Sequence, residues 1–371
     1  MMFSNSIKEV LLCLIRLGTG KETKPNVILP KDKIDWEALK ALANEQGLLA
    51  VVLDGLDRLN ADGVVVDMPK KVRLEWIGEV LQGYEYRYEL YRRAIAEMAG
   101  FYNSQGFKMM VLKGYACSLD WPKPEHRPCG DIDIWQFGQQ EAADAVLAAS
   151  SKFQDSGFKI DNSHHHHTVF YWRDFMVENH YDFVNVYAHK SSRELEKVFK
   201  ELGKDDSHFV EVYGEKVYLP SPNLHALFLI RHMVAHFVGA EITLRQVLDW
   251  AFFAEKHTKE IDWKWLEEQL VKFHMMDFYN CINAICVGGL GFDVKIFPSV
   301  QFEPSLKERI LNDILSPEFQ GDEPRGFFAR IAFKYRRWQA NAWKQELCYP
   351  ESRWDTFWSG VWNHLLKPAS I

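Results

Sequence analysis

Residues 111–135, VLKGYACSLDWPKPEHRPCGDIDIW, decide how the rest of the chain reads. An apolar run ends in Lys113-Gly114, a polar and Pro-rich connection follows, and Gly130-Asp131-Ile132-Asp133-Ile134 then alternates acid with apolar residue. Side chains two apart in a strand point the same way, so Asp131 and Asp133 are predicted to project together while Ile132 and Ile134 enter a core. Two adjacent carboxylates repel, and the pair is costly unless a cation lies between them. Oxygen ligands in that number suit Mg²⁺, which keeps part of its water and takes the rest of its shell from substrate phosphates.

On the C-terminal side of this stretch a polar helix is predicted over residues 139–153, followed by a strand beginning at Gly157-Phe158-Lys159-Ile160. The segments HHTVFYWRD and FMVENHYDFVNVYAH read as a hairpin turned near Arg173-Asp174, with Glu178, His180 and Asp182 on one face of its second strand. On the N-terminal side the pattern is helical: an amphipathic helix over 7–17, a helix capped by Asp35, a turn at Asn60-Ala61-Asp62-Gly63, and a long helical segment over 69–102. Tyr84, Tyr88 and Tyr91 form a stripe there that suits core packing better than base stacking. After Pro220-Ser221-Pro222-Asn223 three more helices follow, over 224–237 with Asn223 as its cap, 241–256 and 262–275, before a break at Gly288-Gly289-Leu290-Gly291. The expected fold class is α+β, a small mixed sheet at 105–219 flanked by helical regions at 1–104 and 220–371.

Composition narrows the functional class. The chain has 371 residues, 47% of them hydrophobic, enough for more than one sizeable core. A net charge of -7 argues against a general binder of long nucleic acid, which needs clustered cations. No apolar run reaches the roughly 18 residues of a membrane span, and the first helix lacks the features of a signal peptide, so no membrane partner is expected. The six cysteines show no CxxC spacing, which fits reduced thiols in a cytoplasmic protein. The basic, aromatic tail over 325–344 reads as a helix with a solvated basic face and a buried aromatic one.

The succession Val111-Leu112-Lys113-Gly114, Arg127-Pro128-Cys129-Gly130-Asp131-Ile132-Asp133-Ile134 and Val177-Glu178-Asn179-His180 resembles the uncharacterised nucleotidyltransferase family of the polymerase-beta-like superfamily. His232 to His236, residues 244–249 and Ile261-Asp262-Trp263 resemble that family's helical half, so the likeness runs over about 35–275. It implies transfer of a nucleoside monophosphate from a nucleoside triphosphate such as ATP to the hydroxyl of an unknown small-molecule or macromolecular acceptor, with Mg²⁺, or Mn²⁺ of the same class, as cofactor. By the same likeness Asp131, Asp133 and Glu178 are the catalytic and metal-binding acids. Lys113, Gly114, Arg127, Gly130 and His180 are then the nucleotide-binding positions, with Gly114 letting backbone N–H groups approach phosphate and Arg127 gripping it bidentately. Asp182 is the alternative third acid. Tyr115 stands where a second small residue is usual, and Asn179 where an apolar one is.

Other readings remain open on the residues alone. The Tyr115 position is compatible with a catalytically degenerate module that binds nucleotide or a partner. His232, His236 and Asp249 would be the centre of a metal-dependent phosphohydrolase, although the helix lacks the HExxH glutamate and a packed pair bordering the cleft is the plainer reading. Arg245 and Asp249, four apart, are expected to pair along their helix. In the run His164 to His167 a strand would turn at most two rings the same way, a poor metal site.

Overall fold

Strand β2 (Ile132–Trp135) lies near the centre of a six-stranded mixed sheet and carries Asp133, with Asp131 immediately before its start. Its neighbours are β1 (Met110–Val111), antiparallel, and β4 (Phe175–His180), parallel. Strand β3 (His167–Trp172) closes one side as the hairpin partner of β4, and β6 (Glu215–Tyr218) with β5 (Phe209–Val212) extends the other, giving the order β3-β4-β2-β1-β6-β5. The computed structural model describes residues 4–24, 34–64, 66–150, 159–164, 166–187, 189–298, 300–319, 321, 324–356 and 358. The strand start predicted at Gly157-Phe158 and the end of the helix predicted to residue 153 lie outside them.

The alternation in β2 sorts its residues between two cores. Ile132 and Ile134, with Val111 and Val177, pack against helix α5 (Arg87–Ser104) and helix α7 (Gln140–Ala149) in one cluster. Met110, Leu112 and Trp135 belong to a second, larger cluster. That cluster is built from α1 (Asn5–Gly18), α2 (Trp36–Glu45), α3 (Leu49–Ala61) and the helices after the sheet. The latter are α8 (Lys190–Leu202), α9 (Pro222–Gly239), α10 (Leu244–Lys256), α11 (Trp263–Lys272), α12 (Met276–Gly288) and α13 (Pro304–Leu315). Between α3 and α5 run α4 (Lys70–Glu79) and a π-helical turn, Val80–Tyr86. This is the α+β architecture expected, with Tyr88 and Tyr91 buried as the stripe predicted.

Local chemistry sets several element ends. Asp35 caps α2 by accepting from Ala38 N at 3.0 Å, as its position before the helix predicts. Asn223 does not cap α9, because Pro222 is already at its first position; Asn223 accepts instead from Asp262 N at 2.8 Å. Helix α10 starts at Leu244, not at residue 241, behind a capping box of Thr243 and Gln246. The tail forms α14 (Phe327–Ala340) and α15 (Ala342–Cys348). Its aromatic face, expected to be buried, is only partly so: Phe333, Trp338 and Trp343 are half-buried, but Phe328 is 83% exposed and Tyr335 51%.

Candidate active site

Parallel pairing of β2 with β4 sets Asp133 directly beside Glu178 and Trp135 beside His180. Both carboxylates therefore leave the sheet on the face turned toward α9, one interstrand spacing apart. Asp131 precedes β2 and joins them at its end, about a third exposed. The backbone of Leu112 donates to Asp133 O at 3.0 Å, which fixes the next residue, Lys113, over the acids.

Lys113 Nζ lies 3.0 Å from Asp133 Oδ1 and 3.6 Å from Asp131 Oδ2. The cation that the acidic pair requires is thus supplied in part by the chain itself. Burial works against the Lys113 ammonium, yet Asp133, Asp131 and Glu178 outweigh it and hold its pKa well above the usual lysine value. His180 Nε2 donates to Asp133 Oδ1 at 3.1 Å and lies 3.6 Å from Glu178 Oε2, while its Nδ1 donates to Asp182 O at 3.2 Å. Burial again opposes the charge, but the bonds to Asp133 and Glu178 raise the imidazole to about 9. Glu178 is lowered to about 2: burial is overcome by the His180 hydrogen bond and the Lys113 charge, so it is ionised at neutral pH. Three carboxylates against two cations leave the cluster one negative charge in excess. Asp133 Oδ2 is buried with no hydrogen-bond partner among the described residues, an unusual state for a carboxylate oxygen.

The cluster forms one end of a cavity of about 650 Å³ lined by Lys113, Asp131, Asp133, Glu178 and His180. His166 and His167 border it beside them, and their Nδ1 atoms also lack partners among the described residues. Burial depresses both rings, to about 2 and about 4, leaving them neutral. The expectation that neighbouring histidines alternate in direction fails here because β3 only begins at His167; His166 lies in a bend, and His165 is outside the described residues. Among the described residues two groups of side chains are close enough to hold an ion, Asp133 with Glu178 and His180, and His166 with His167 and His180. His232 and His236, in contact on α9, line the facing wall. Burial and then the Lys113 charge push both pKa values down, and these rings stay neutral.

The remaining predicted positions sit behind the cavity. Gly114 has φ +58, and a Cβ there would lie 2.4 Å from Tyr91 Oη, so only glycine fits. Tyr91 uses that hydroxyl to donate to Asp131 O at 2.8 Å. Tyr115 is 3% exposed and packs near Tyr88, away from the cavity, so its bulk does not obstruct it. Gly130 is exposed, and a Cβ at that position would meet only open space. Arg127 is buried and bound bidentately to Asp249, Nε to Oδ1 at 2.8 Å and Nη2 to Oδ2 at 2.9 Å, and does not line the cavity. Trp121 Nε1 donates to the same Oδ1 at 2.8 Å. Asp249 is therefore occupied by the 121–127 loop, neither pairing with Arg245 nor joining His232 and His236. Asp182 lies beyond β4 and pairs with Lys200, outside the cavity. Asn179, on the other face of the sheet, donates to Asp144 Oδ1 at 2.8 Å, which accounts for a polar residue at a fully buried position.

Sequence reasoning missed Tyr91 as the anchor of Asp131, since a stripe of tyrosines signals packing and not the hydroxyl's partner. It also missed Arg231 and Arg337, which line the opposite end of the cavity. No curated protein and no solved structure gives a significant match to this chain. Residues 32–287, more than two thirds of the chain and including every acid of the cluster, match the family described as "Uncharacterised nucleotidyltransferase". With that match spanning the sheet, the acids and the facing helices, the chain belongs to the uncharacterised nucleotidyltransferase family.

Proposed function

We propose that this nucleotidyltransferase moves a nucleoside monophosphate from a nucleoside triphosphate to an acceptor hydroxyl, releasing pyrophosphate, with Mg²⁺ or Mn²⁺ held by Asp131, Asp133 and Glu178. The observation that carries the reading is the buried, unpartnered Asp133 Oδ2 in a cluster whose carboxylates exceed its cations. The donor set fits such an ion, because three carboxylates offer hard oxygen ligands and leave room for water and phosphate. When bound, the metal supplies charge neutralisation for the triphosphate and for the entering and leaving oxygens.

The chain's own residues do the rest. His180 donates to Asp133 and sets its charge 3.6 Å from Glu178, so the acids are held before substrate binds. Lys113 carries a positive charge at the cavity wall that can neutralise a phosphate oxygen. Tyr91 and Gly114 hold the backbone of Asp131. The neutral His232 and His236 leave the facing wall free of charge that would compete for the triphosphate. We place the sheet with the polymerase-beta-like superfamily on its ordered acids, and the protein in the cytoplasm, where its six cysteine thiols stay reduced.

Isothermal titration with Mg-ATP, Mg-GTP, Mg-CTP and Mg-UTP tests this reading in the wild type and the Asp131→Asn, Asp133→Asn double variant. Magnesium-dependent binding of at least one triphosphate, lost in the variant, is expected. No such binding in the wild type, or equal binding in both proteins, removes its basis.

A further inference from the structure

The end of the cavity away from the acids is built differently. Helix α14 brings Lys334, Arg337 and Trp338 to its wall, and the segment after α15 brings Tyr349; all lie beyond the family match, which ends at residue 287. Helix α9 contributes Arg231, which is only 5% exposed.

Arg231 stands out by its partners. Three Lys or Arg residues are buried among the described residues: Arg127, Lys344 and Arg231. Arg127 is neutralised by Asp249, and Lys344 by Asp313 at 2.5 Å. Arg231 instead donates to two neutral hydroxyls, Tyr349 Oη at 2.7 Å and Ser192 Oγ at 3.3 Å, and has no ion pair among the described residues. Glu351, the carboxylate in that corner, is engaged by Ser191 N at 2.5 Å and Ser191 Oγ at 3.1 Å. A buried cation without a counter-charge is unfavourable, because the desolvation of its charge is not offset by an opposite one. The Tyr349 ring beneath the guanidinium, 5.0 Å from its centre, offsets part of that cost and is itself stacked on His189 at 3.7 Å. Arg337 on the adjoining helix likewise has no hydrogen-bond or ion-pair partner among the described residues for its guanidinium, which lies 5.9 Å from the centre of the Phe333 ring.

Two guanidiniums without carboxylates, facing one cavity, are a preorganised seat for an oxyanion. The nucleotide's triphosphate belongs at the acidic end with its metal, so the anion at the basic end comes with the second substrate. We propose that the C-terminal wall is an acceptor subsite in which Arg231 and Arg337 take a phosphate group of the acceptor, with the Trp338 ring beside it. The proposal rests on the nucleotidyl-transfer reading for the word acceptor, but the site itself needs no metal.

The test therefore separates the two. In EDTA, with no divalent metal, titration calorimetry of the full chain uses 5′-AMP, inorganic phosphate and adenosine as probes. AMP and phosphate are expected to bind and adenosine not to. Arg337→Ala and Arg231→Gln should each weaken AMP at least tenfold, while the Asp131→Asn, Asp133→Asn variant binds it as the wild type does. Arg231→Gln should also unfold at a temperature no lower than wild type in phosphate-free buffer, since it removes an uncompensated charge; if it does not fold, Arg337→Ala decides by the same criterion. AMP should still bind when Mg²⁺ and a non-hydrolysable triphosphate fill the acidic end. No AMP binding in the wild type, affinity unchanged in both arginine variants, or competition by the triphosphate overturns the proposal, the last by giving the arginines to the nucleotide's own tail. Failure of magnesium-dependent triphosphate binding would instead sink the reading of the acids and leave these results standing.

Discussion

Asp131→Asn and Asp133→Asn are expected to abolish transfer equally and to differ sharply in stability. Sequence alone predicts that neutralising Asp131 relieves repulsion between two acids. In the folded chain Lys113 already bridges them, so there is little repulsion left to relieve. Asp131 is about a third exposed and 3.6 Å from the ammonium; a pair of that kind contributes under about 1 kcal/mol. Asp133 has no exposed side-chain surface and accepts from both Lys113 at 3.0 Å and His180 at 3.1 Å. Taking its charge away leaves the half-buried Lys113 and the buried His180 to share Glu178 and the more distant Asp131. Breaking a buried pair on one side costs about 3–5 kcal/mol, and the amide oxygen of Asn retains some of the bonding, so about 3 kcal/mol is expected. At roughly 2 °C per kcal/mol for a large chain, Asp133→Asn should lower the thermal midpoint by about 6 °C and Asp131→Asn by about 2 °C or less. Differential scanning calorimetry in EDTA reads both, and transfer of label from α-labelled triphosphate reads activity. Equal destabilisation by the two variants, or an Asp133→Asn protein as stable as wild type, would refute the picture of Lys113 and His180 as counter-ions of the buried Asp133.

Two further outcomes follow from groups behind the site. Glu196 accepts from Phe183 N at 3.1 Å and Val184 N at 3.0 Å, yet burial pushes its carboxyl up from 4.5 to about 8. An acid whose folded pKa is raised binds more protons folded than unfolded, so its stabilising contribution is complete below about 4.5 and lost as pH rises toward about 8. The wild-type unfolding free energy from urea titration should fall across that window at up to about 1.4 kcal/mol per pH unit, and Glu196→Gln should flatten the fall; identical pH profiles would show the group is not buried as an acid. Gly114→Ala should cost about 2–3 kcal/mol, from a positive φ and the contact with Tyr91 Oη, and Tyr91→Phe about 1 kcal/mol from the lost bond to Asp131 O. The double variant should cost less than the sum because removing the hydroxyl removes the clash, and strict additivity by chemical denaturation would count against this contact.

The placement of the acids was legible because a strand's period of two is a property of the local backbone: Ile132 and Ile134 report the core, and Asp131 and Asp133 the open face. The hairpin at Arg173-Asp174 and the cap at Asp35 are local in the same sense. What could not be read depends on segments distant in sequence. Arg127 looks like a phosphate ligand until α10 brings Asp249 to it, 122 positions away. Asp182 shares a face with Glu178 only if β4 continues past His180, and the bend there turns it toward Lys200. The tail's aromatic residues signal burial, but nothing in their spacing says whether another helix covers them. Arg231 carries no signal at all, since the absence of a counter-charge is visible only after the chain has closed around it.

The lysine lying across the carboxylates has a consequence for the order of events under the proposed reaction. A divalent ion arriving alone must compete with a tethered ammonium for Asp131 and Asp133, and its affinity is discounted by whatever that contact contributes. A triphosphate offers the ammonium another partner, so metal and nucleotide each ease the binding of the other by the same factor, as linkage requires. On that reading the free protein would be biased against holding an idle metal, and the complete metal-nucleotide complex would be the form that the site accepts best. Lys113 acts as a tethered competitor that only the substrate can draw away.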